Sequence, residues 1–249
     1  MLFELSGIAC VLNVKRIKEG FTKIQVIGSK SIKQEDDSHK DISGARWINL
    51  SGKQADWWFE NFDRVKNSIV SFSAQAETSD DGNYYENYRI NNYDDLNIVA
   101  WPDNADGVRS ALMSLKGTGR VINIRPMGQG FTKIQVINSE TYKGRETKAT
   151  RWINLSGGQA DWWAANIDKV VKSHVEFRST VITTKKQDGD QTLYFDNYRA
   201  DRVDIINWAQ PKAQANQPQQ HDQSMNQAPQ TGFAPQDAPQ NSGYASVRQ

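Results

Sequence analysis

One stretch is written twice in this chain. Residues 45–58, ARWINLSGKQADWW, return almost unchanged as residues 150–163, TRWINLSGGQADWW. The first half of each copy alternates: Ile48 and Leu50 point one way, Trp47 and Asn49 the other, and period two marks a half-buried strand. The strand stops at Ser-Gly, where Ser51 with Gln54, and Ser156 with Gln159, have the S-x-x-Q spacing of a capping box. Ala55, Trp58, Phe59, Phe62 and Val65 then fall on one helical stripe, matched by Ala160, Trp163, Ala164, Ile167 and Val170. A strand therefore runs into a capped helix, and a tryptophan sits on the strand's outer side. Any fold built on this unit must use that tryptophan or cover it, twice.

The repetition extends beyond this unit. Residues 20–27 recur as 130–137 and Asn87-Tyr88-Arg89 as Asn197-Tyr198-Arg199, both at an offset of 110, while the tryptophan unit recurs at 105. The length changes fall between matched blocks, where loops belong. A unit of about 100 residues is a whole domain, too long for a solenoid repeat. The expected organisation is a first domain over residues 1–106, a second over 111–208, and a tail over 209–249, with a linker at Asp103–Ser110. Within each unit the order reads strand, strand, strand, helix, strand, strand. The strands are expected at 6–17, 22–27, 46–50, 69–75 and 84–90, and at corresponding places in the second copy. Gly7 or Gly119 would mark a bulge in the long first strand. Asp80-Asp81-Gly82-Asn83 and Asp188-Gly189-Asp190 have turn chemistry, and Trp101-Pro102 and Trp208 close the two units.

Composition narrows the function. Hydrophobic residues at 37% and charged residues at 24% fit a soluble globular chain, and no run approaches the ~18 apolar residues of a membrane span. The start has no basic, apolar leader pattern, and Cys10 stands alone, so a reducing cytoplasm is the expected location. His39, His174 and His221 are scattered, so neither a metal site nor a cofactor is expected. No nucleophile–base arrangement or phosphate-binding glycine loop is shared by the copies. Asp56 and Asp161 do recur, but in what reads as the first helical turn, where acids complement the helix dipole. The chain does not read as an enzyme. Its net charge of +1 hides an imbalance: residues 1–106 hold 12 Lys/Arg against 17 Asp/Glu, and residues 107–208 hold 16 against 10.

Five strands with a helix between the third and fourth is the order of a small Greek-key barrel. On that order, each half resembles an oligonucleotide-binding (OB) domain, and the whole resembles single-stranded DNA-binding proteins. The resemblance implies an all-β fold with one helix per domain and a single-stranded nucleic acid partner. From Ala209 the chain turns to Gln, Pro, Ala, Asn and Gly, a composition expected to be disordered. Bacterial single-stranded DNA-binding proteins carry similar tails ending in an acidic tip, whereas this one ends Ser246-Val247-Arg248-Gln249. The departure removes the implication that a tip recruits replication proteins, and it suggests a phage or other mobile element as the source.

With Ile24, Val26, Ile48 and Leu50 inward, parity puts Phe21, Lys23, Gln25, Trp47 and Asn49 on the outer face, joined by Asn13 and Lys15. The second copy gives Phe131, Lys133, Gln135, Trp152, Asn154, Asn123 and Arg125. Bases stack on aromatics while cations follow phosphates, so this mixture suits a sequence-tolerant single-strand binder. OB folds bind oligonucleotides on the strand two–three surface and nearby loops. The second copy offers Lys143, Arg145, Lys148, Lys185 and Lys186 in those loops, where the first has Glu35, Asp36, Asp37, Glu77, Asp80 and Asp81. The second half is therefore expected to bind more strongly.

Other readings fit the same residues. Trp47 and Trp152 would also serve if a loop or a second copy in a homo-oligomer covered them. The aromatic face would suit a protein-interaction scaffold, and stacking does not separate DNA from single-stranded RNA. Trp58 and Trp163 read as barrel plugs, with Trp57 and Trp162 packing at the helix edge. Tyr84, Tyr85 and Tyr88 read equally as base stackers or strand formers. Arg46 and Arg151, with core-side parity, are expected at a strand end beside a carboxylate or phosphate.

Overall fold

The strands run well past their expected ends, the added lengths lying mostly on exposed hairpin arms. A computed structural model describes residues 2–78, 86–104, 107–142, 145–189 and 191–209, with the backbone alone at Tyr142 and Arg145. The tail beyond Ala209, and with it the expected disorder, lies outside the described residues, as do Tyr84, Tyr85, Asp80, Asp81 and Lys143. In the first half, β1 (Glu4–Lys18), β2 (Phe21–Lys33) and β3 (His39–Ser51) form a meander. The helices α1 (Gly52–Glu60) and α2 (Phe62–Val65) lead to β4 (Ile69–Thr78), β5 (Glu86–Arg89) and β6 (Leu96–Ala100). The second half repeats this with β7 (Ser114–Gly128), β8 (Phe131–Tyr142), β9 (Arg145–Ser156), α3 (Gly157–Ala165), α4 (Ile167–Val170), β10 (His174–Asp188) and β11 (Gln191–Asn207).

Each half closes on itself. The first runs β1-β2-β3-β5-β4 and returns from β4 to β1; the second runs β7-β8-β9-β11-β10 and returns from β10 to β7. The pair β3–β5 is parallel, as is β9–β11, and all the others are antiparallel. Ile24, Val26, Ile48 and Leu50 are fully buried, with Trp58 plugging one barrel and Trp163 the other.

Several local expectations fail for identifiable reasons. Neither serine caps its helix through its side chain. Gln54 Nε2 instead donates to the Tyr93 carbonyl and Gln159 Nε2 to that of Val203, each at 3.3 Å, tying the helix to a later segment. Asp56 and Asp161 lie beyond the first turn. Their carboxylates accept the backbone N–H of Gly20 (2.9 Å) and Gly130 (2.7 Å), clamping the turn between the first two strands. The helical stripe breaks at Asn61 and Asn166, whose side chains donate to the carbonyls of Trp57 and Trp162 at 2.9 Å. Phe59 is exposed, with Arg16 over its ring at 5.1 Å. Neither glycine bulges: β1 keeps register with β4 from Glu4 to Cys10, and β7 with β10 from Ser114 to Arg120. The irregularities fall at Leu12 and Ile17. The fifth strand is also longer than expected, reaching Asn207 in β11, while in the first half a 3-10 turn at Tyr93–Asp95 divides it into β5 and β6.

The two barrels lie in one compact unit, Met1–Gln210. They meet where β1 pairs antiparallel with β7: Glu4 with Lys116, Leu5 with Leu115, Ser6 with Ser114. Only the central pair, Leu5 and Leu115, is separated by the repeat offset of 110, so a local two-fold axis passes between them. The hairpin arms cross at the same axis. The root of the β10–β11 arm packs on β3, where a Cβ on Gly44 would lie 2.4 Å from the Val181 carbonyl oxygen, so only glycine fits there. Thr183 Oγ1 accepts the Ala45 N–H at 3.1 Å, and Thr78 Oγ1 accepts the Thr150 N–H at 2.9 Å in the mirrored contact.

This crossing overturns the expected place of the two arginines. Arg46 sits mid-strand opposite Val26, and it and Arg151 are 4% and 1% exposed. Arg151 Nε donates to Tyr88 Oη at 3.1 Å. Its Nη atoms donate to Thr78 Oγ1 (2.9 Å) and to the carbonyls of Thr150 (2.8 Å), Glu77 (3.2 Å) and Asn87 (3.3 Å). Arg46 mirrors it, donating to Tyr198 Oη (3.2 Å), Thr183 Oγ1 (3.3 Å) and the Asp196 carboxylate (2.6 Å). Tyr198 donates to Glu86, which leaves Tyr88 to donate to Tyr198. Burial pushes both phenols above their ordinary range, so each is a neutral hydroxyl at neutral pH. Tyr88 is therefore a buried inter-barrel contact and is closed to base stacking.

Removing one partner of a buried charge cluster costs about 3–5 kcal/mol, because the groups left behind lose their compensation. Arg151→Met is expected to lose that much in urea unfolding. Arg46→Met should lose less, since its partner Asp196 is half exposed and its Nη2 has no partner among the described residues.

Candidate nucleic-acid interface

The outer face of β2 and β3 is ordered by cross-strand register. In the first half, Asn13, Gln25 and Trp47 are successive neighbours across β1, β2 and β3. Two residues along, Lys15, Lys23 and Asn49 form a second row, and Arg89 on β5 stands beside Asn49. Phe21 lies at the start of β2 opposite Ser51 and Lys18. The second half repeats both rows as Asn123–Gln135–Trp152 and Arg125–Lys133–Asn154–Arg199, with Phe131 at the start of β8. The expected face residues are thus brought together twice on rigid strands.

The two faces differ in detail. Trp47 is 36% exposed. Trp152 is half-buried beneath Arg125, whose guanidinium lies 5.4 Å from the ring centroid. Asn154 departs from expectation: it is 8% exposed, and its Nδ2 donates to Asn197 Oδ1 at 3.2 Å, so it holds β9 to β11 and is not a free amide. Trp57 and Trp162 pack edge-on against Trp58 and Trp163 with their outer sides exposed, and Trp162 also meets Trp208 at 6.4 Å.

The loop cations scatter. Lys148 pairs with Glu146 at 3.5 Å, out along β9 opposite Ser139. Arg145 begins β9, with only its backbone described. Lys185 and Lys186 are exposed on the β10–β11 arm opposite Tyr194 and Leu193, and Lys185 lies 5.8 Å from the Tyr194 ring centroid. The root of that arm, at Val181 and Thr183, leans on β3 of the first half. In the opposite loop Asp37 pairs with Lys33 at 2.5 Å, and hydrogen bonds from Ser38 hold the Asp36 carboxyl below its ordinary range.

Similarity to known proteins is a matter of shape. No protein-family model matches the sequence, and no curated protein matches it. Among solved structures, the wild-type single-stranded DNA binding protein from Thermus aquaticus matches with a TM-score of 0.56 at 11% identity. The match covers 86% of this chain and 97% of that one. A deletion and substitution variant of the same protein matches with a TM-score of 0.57 at 11% identity, over 85% and 98%. Each half has the OB fold. The strand order and the helix between the third and fourth strands belong to that shape.

Arg89 and Arg199 are exposed face residues that sequence reasoning passed over. The signal was available: the repeated Asn-Tyr-Arg places Tyr and Arg on opposite sides of one strand. Among the described residues, no helix is long and apolar enough to cross a membrane.

The tryptophans separate into plugs and face residues by burial. Trp58→Ala or Trp163→Ala, at 3% and 2% exposure, should cost about 3–5 kcal/mol of unfolding free energy. Trp47→Ala and Trp152→Ala should cost less than about 1 kcal/mol. Urea titration of the four variants checks the division.

Proposed function

We propose that this chain binds single-stranded DNA without sequence preference, as a coat for strands exposed in replication or recombination. The observation that carries this is the doubled face, in which an outward tryptophan lies beside a row of cations on two rigid barrels. Stacking is indifferent to base identity because every base has a π-face, and each stack is worth about 1–3 kcal/mol. The cations hold the phosphates and make binding salt-dependent. Phe21, Lys23, Gln25, Trp47, Asn49 and Lys15 serve in the first half, with Phe131, Lys133, Gln135, Trp152 and Arg125 in the second. Asn154 contributes by holding the strand that carries Arg199. The shape shared with the Thermus aquaticus protein supports the same reading.

The two halves contribute comparably in this reading. Both cationic rows carry Lys or Arg on the first, second and fifth strands, and the arm bearing Lys185 and Lys186 leans across the boundary. Charge counted half by half therefore overstates the difference.

Intrinsic tryptophan fluorescence should fall on titration with a mixed-sequence single-stranded oligonucleotide and not with its duplex at the same low salt. No response to either would sink the proposal and favour a protein-binding scaffold. Equal quenching by the matching RNA would widen the ligand class. Trp47→Ala and Trp152→Ala should each weaken binding by about 1–3 kcal/mol. A loss from Trp152→Ala more than tenfold larger than that from Trp47→Ala would restore the ranking by local charge.

A further inference from the structure

Register on β5 and β11 points to two residues that complete the face. Asn49 pairs in parallel with Arg89, and Asn154 with Arg199, so each arginine shares a side of the sheet with the asparagine beside it. Burial agrees with this parity. Tyr88 and Ile90 flank Arg89 and are buried at 2% and 3%, while Arg89 is exposed. Tyr198 is buried beside the exposed Arg199. Among the described residues neither arginine's side chain has a hydrogen bond, ion pair or ring contact, unlike those of Arg16, Arg46, Arg64, Arg125, Arg151 and Arg202.

Each half therefore carries a transverse row across four strands: Lys15, Lys23, Asn49 and Arg89 in one, Arg125, Lys133, Asn154 and Arg199 in the other. Neighbouring strands are about 4.8 Å apart, so such a row spans roughly 14 Å. The tryptophan row runs parallel to it, two residues or about 6.7 Å along the strands. One row offers only cations and amides; the other offers two amides and then an indole.

We propose that Arg89 and Arg199 are phosphate-binding residues, and that the row each completes is the track of the phosphodiester backbone across its barrel. The bases then turn toward Trp47 and Trp152. This rests on the single-strand reading above and adds to it the direction of the strand, perpendicular to β2 and β3, with an arginine at the far end of each track. Tyr88 and Tyr198 strengthen the assignment, because their burial at the inter-barrel axis fixes the β5 and β11 backbone from which the arginines project.

The test uses the full chain and a fluorescent oligothymidylate, with affinity measured across a series of salt concentrations. Single-strand binding loses about 0.7 of the log–log salt slope for each phosphate contact removed. Arg89→Ala and Arg199→Ala should each lower the slope by about that amount, and the double variant by about 1.4. Arg89→Lys should keep it, and the saturated tryptophan quench should stay unchanged in every variant. Arg178→Ala is the control, since its neighbours across the sheet are Lys116 and Arg202, away from the face. Unchanged slopes in a protein that binds and needs its tryptophans would overturn the track while leaving the single-strand reading intact. An equal slope loss in Arg178→Ala would also overturn it, because charge anywhere would then suffice. Failure of the wild-type chain to bind the oligothymidylate would remove both.

Discussion

Two buried arginines, each held by the other half of the chain, decide how the molecule is put together. Burying a guanidinium is costly unless its donors are met. Arg151 meets that demand with five acceptors, a phenol, a threonine hydroxyl and three carbonyls, four of them on the crossing arm. Arg46 meets most of it with the equivalent tyrosine and threonine and with Asp196, its Nη2 having no partner among the described residues. Satisfying either arginine requires both barrels in place at one angle. The β1–β7 pairing alone involves three residues a side, too little to set that angle.

The same strands that build this junction also build the face. Arg46 points in and Trp47 out; Arg151 points in and Trp152 out; Tyr88 and Tyr198 point in while Arg89 and Arg199 point out. Period two thus links each outward group to an inward neighbour locked at the axis. A stacking surface needs rings and cations held in fixed relation, and here the backbone behind them is held by packed, hydrogen-bonded neighbours instead of a free loop.

Much of this was legible in the residues and some was not. Alternation in 20–27 and 46–50 separated the inward from the outward residues, because period two follows from strand geometry alone. Element order led to the barrel. What escaped was whatever depends on two halves meeting. Arg46 looked like a strand-end residue because a charge with core parity has no local explanation; its partners are some 150 residues away. Ser51-x-x-Gln54 has the spacing of a capping box, yet Gln54 reaches a later segment that no local pattern reveals. Lys185 and Lys186 were assigned to their own half, since nothing in the sequence shows that the arm crosses. Asn154 looked free until β11 arrived beside it with Asn197.

The crossed arms also bear on how the two copies can diverge. Thr78, Glu86 and Tyr88 correspond to Thr183, Asp196 and Tyr198, and each set serves the arginine of the opposite copy. Loops have drifted in length and in the sign of their charge, whereas these positions have kept their chemistry. A change of Tyr88 is felt by Arg151 and a change of Tyr198 by Arg46, so mutational drift in one copy must be answered in the other. The two repeated halves can differ at their tips and remain bound to one another at the axis.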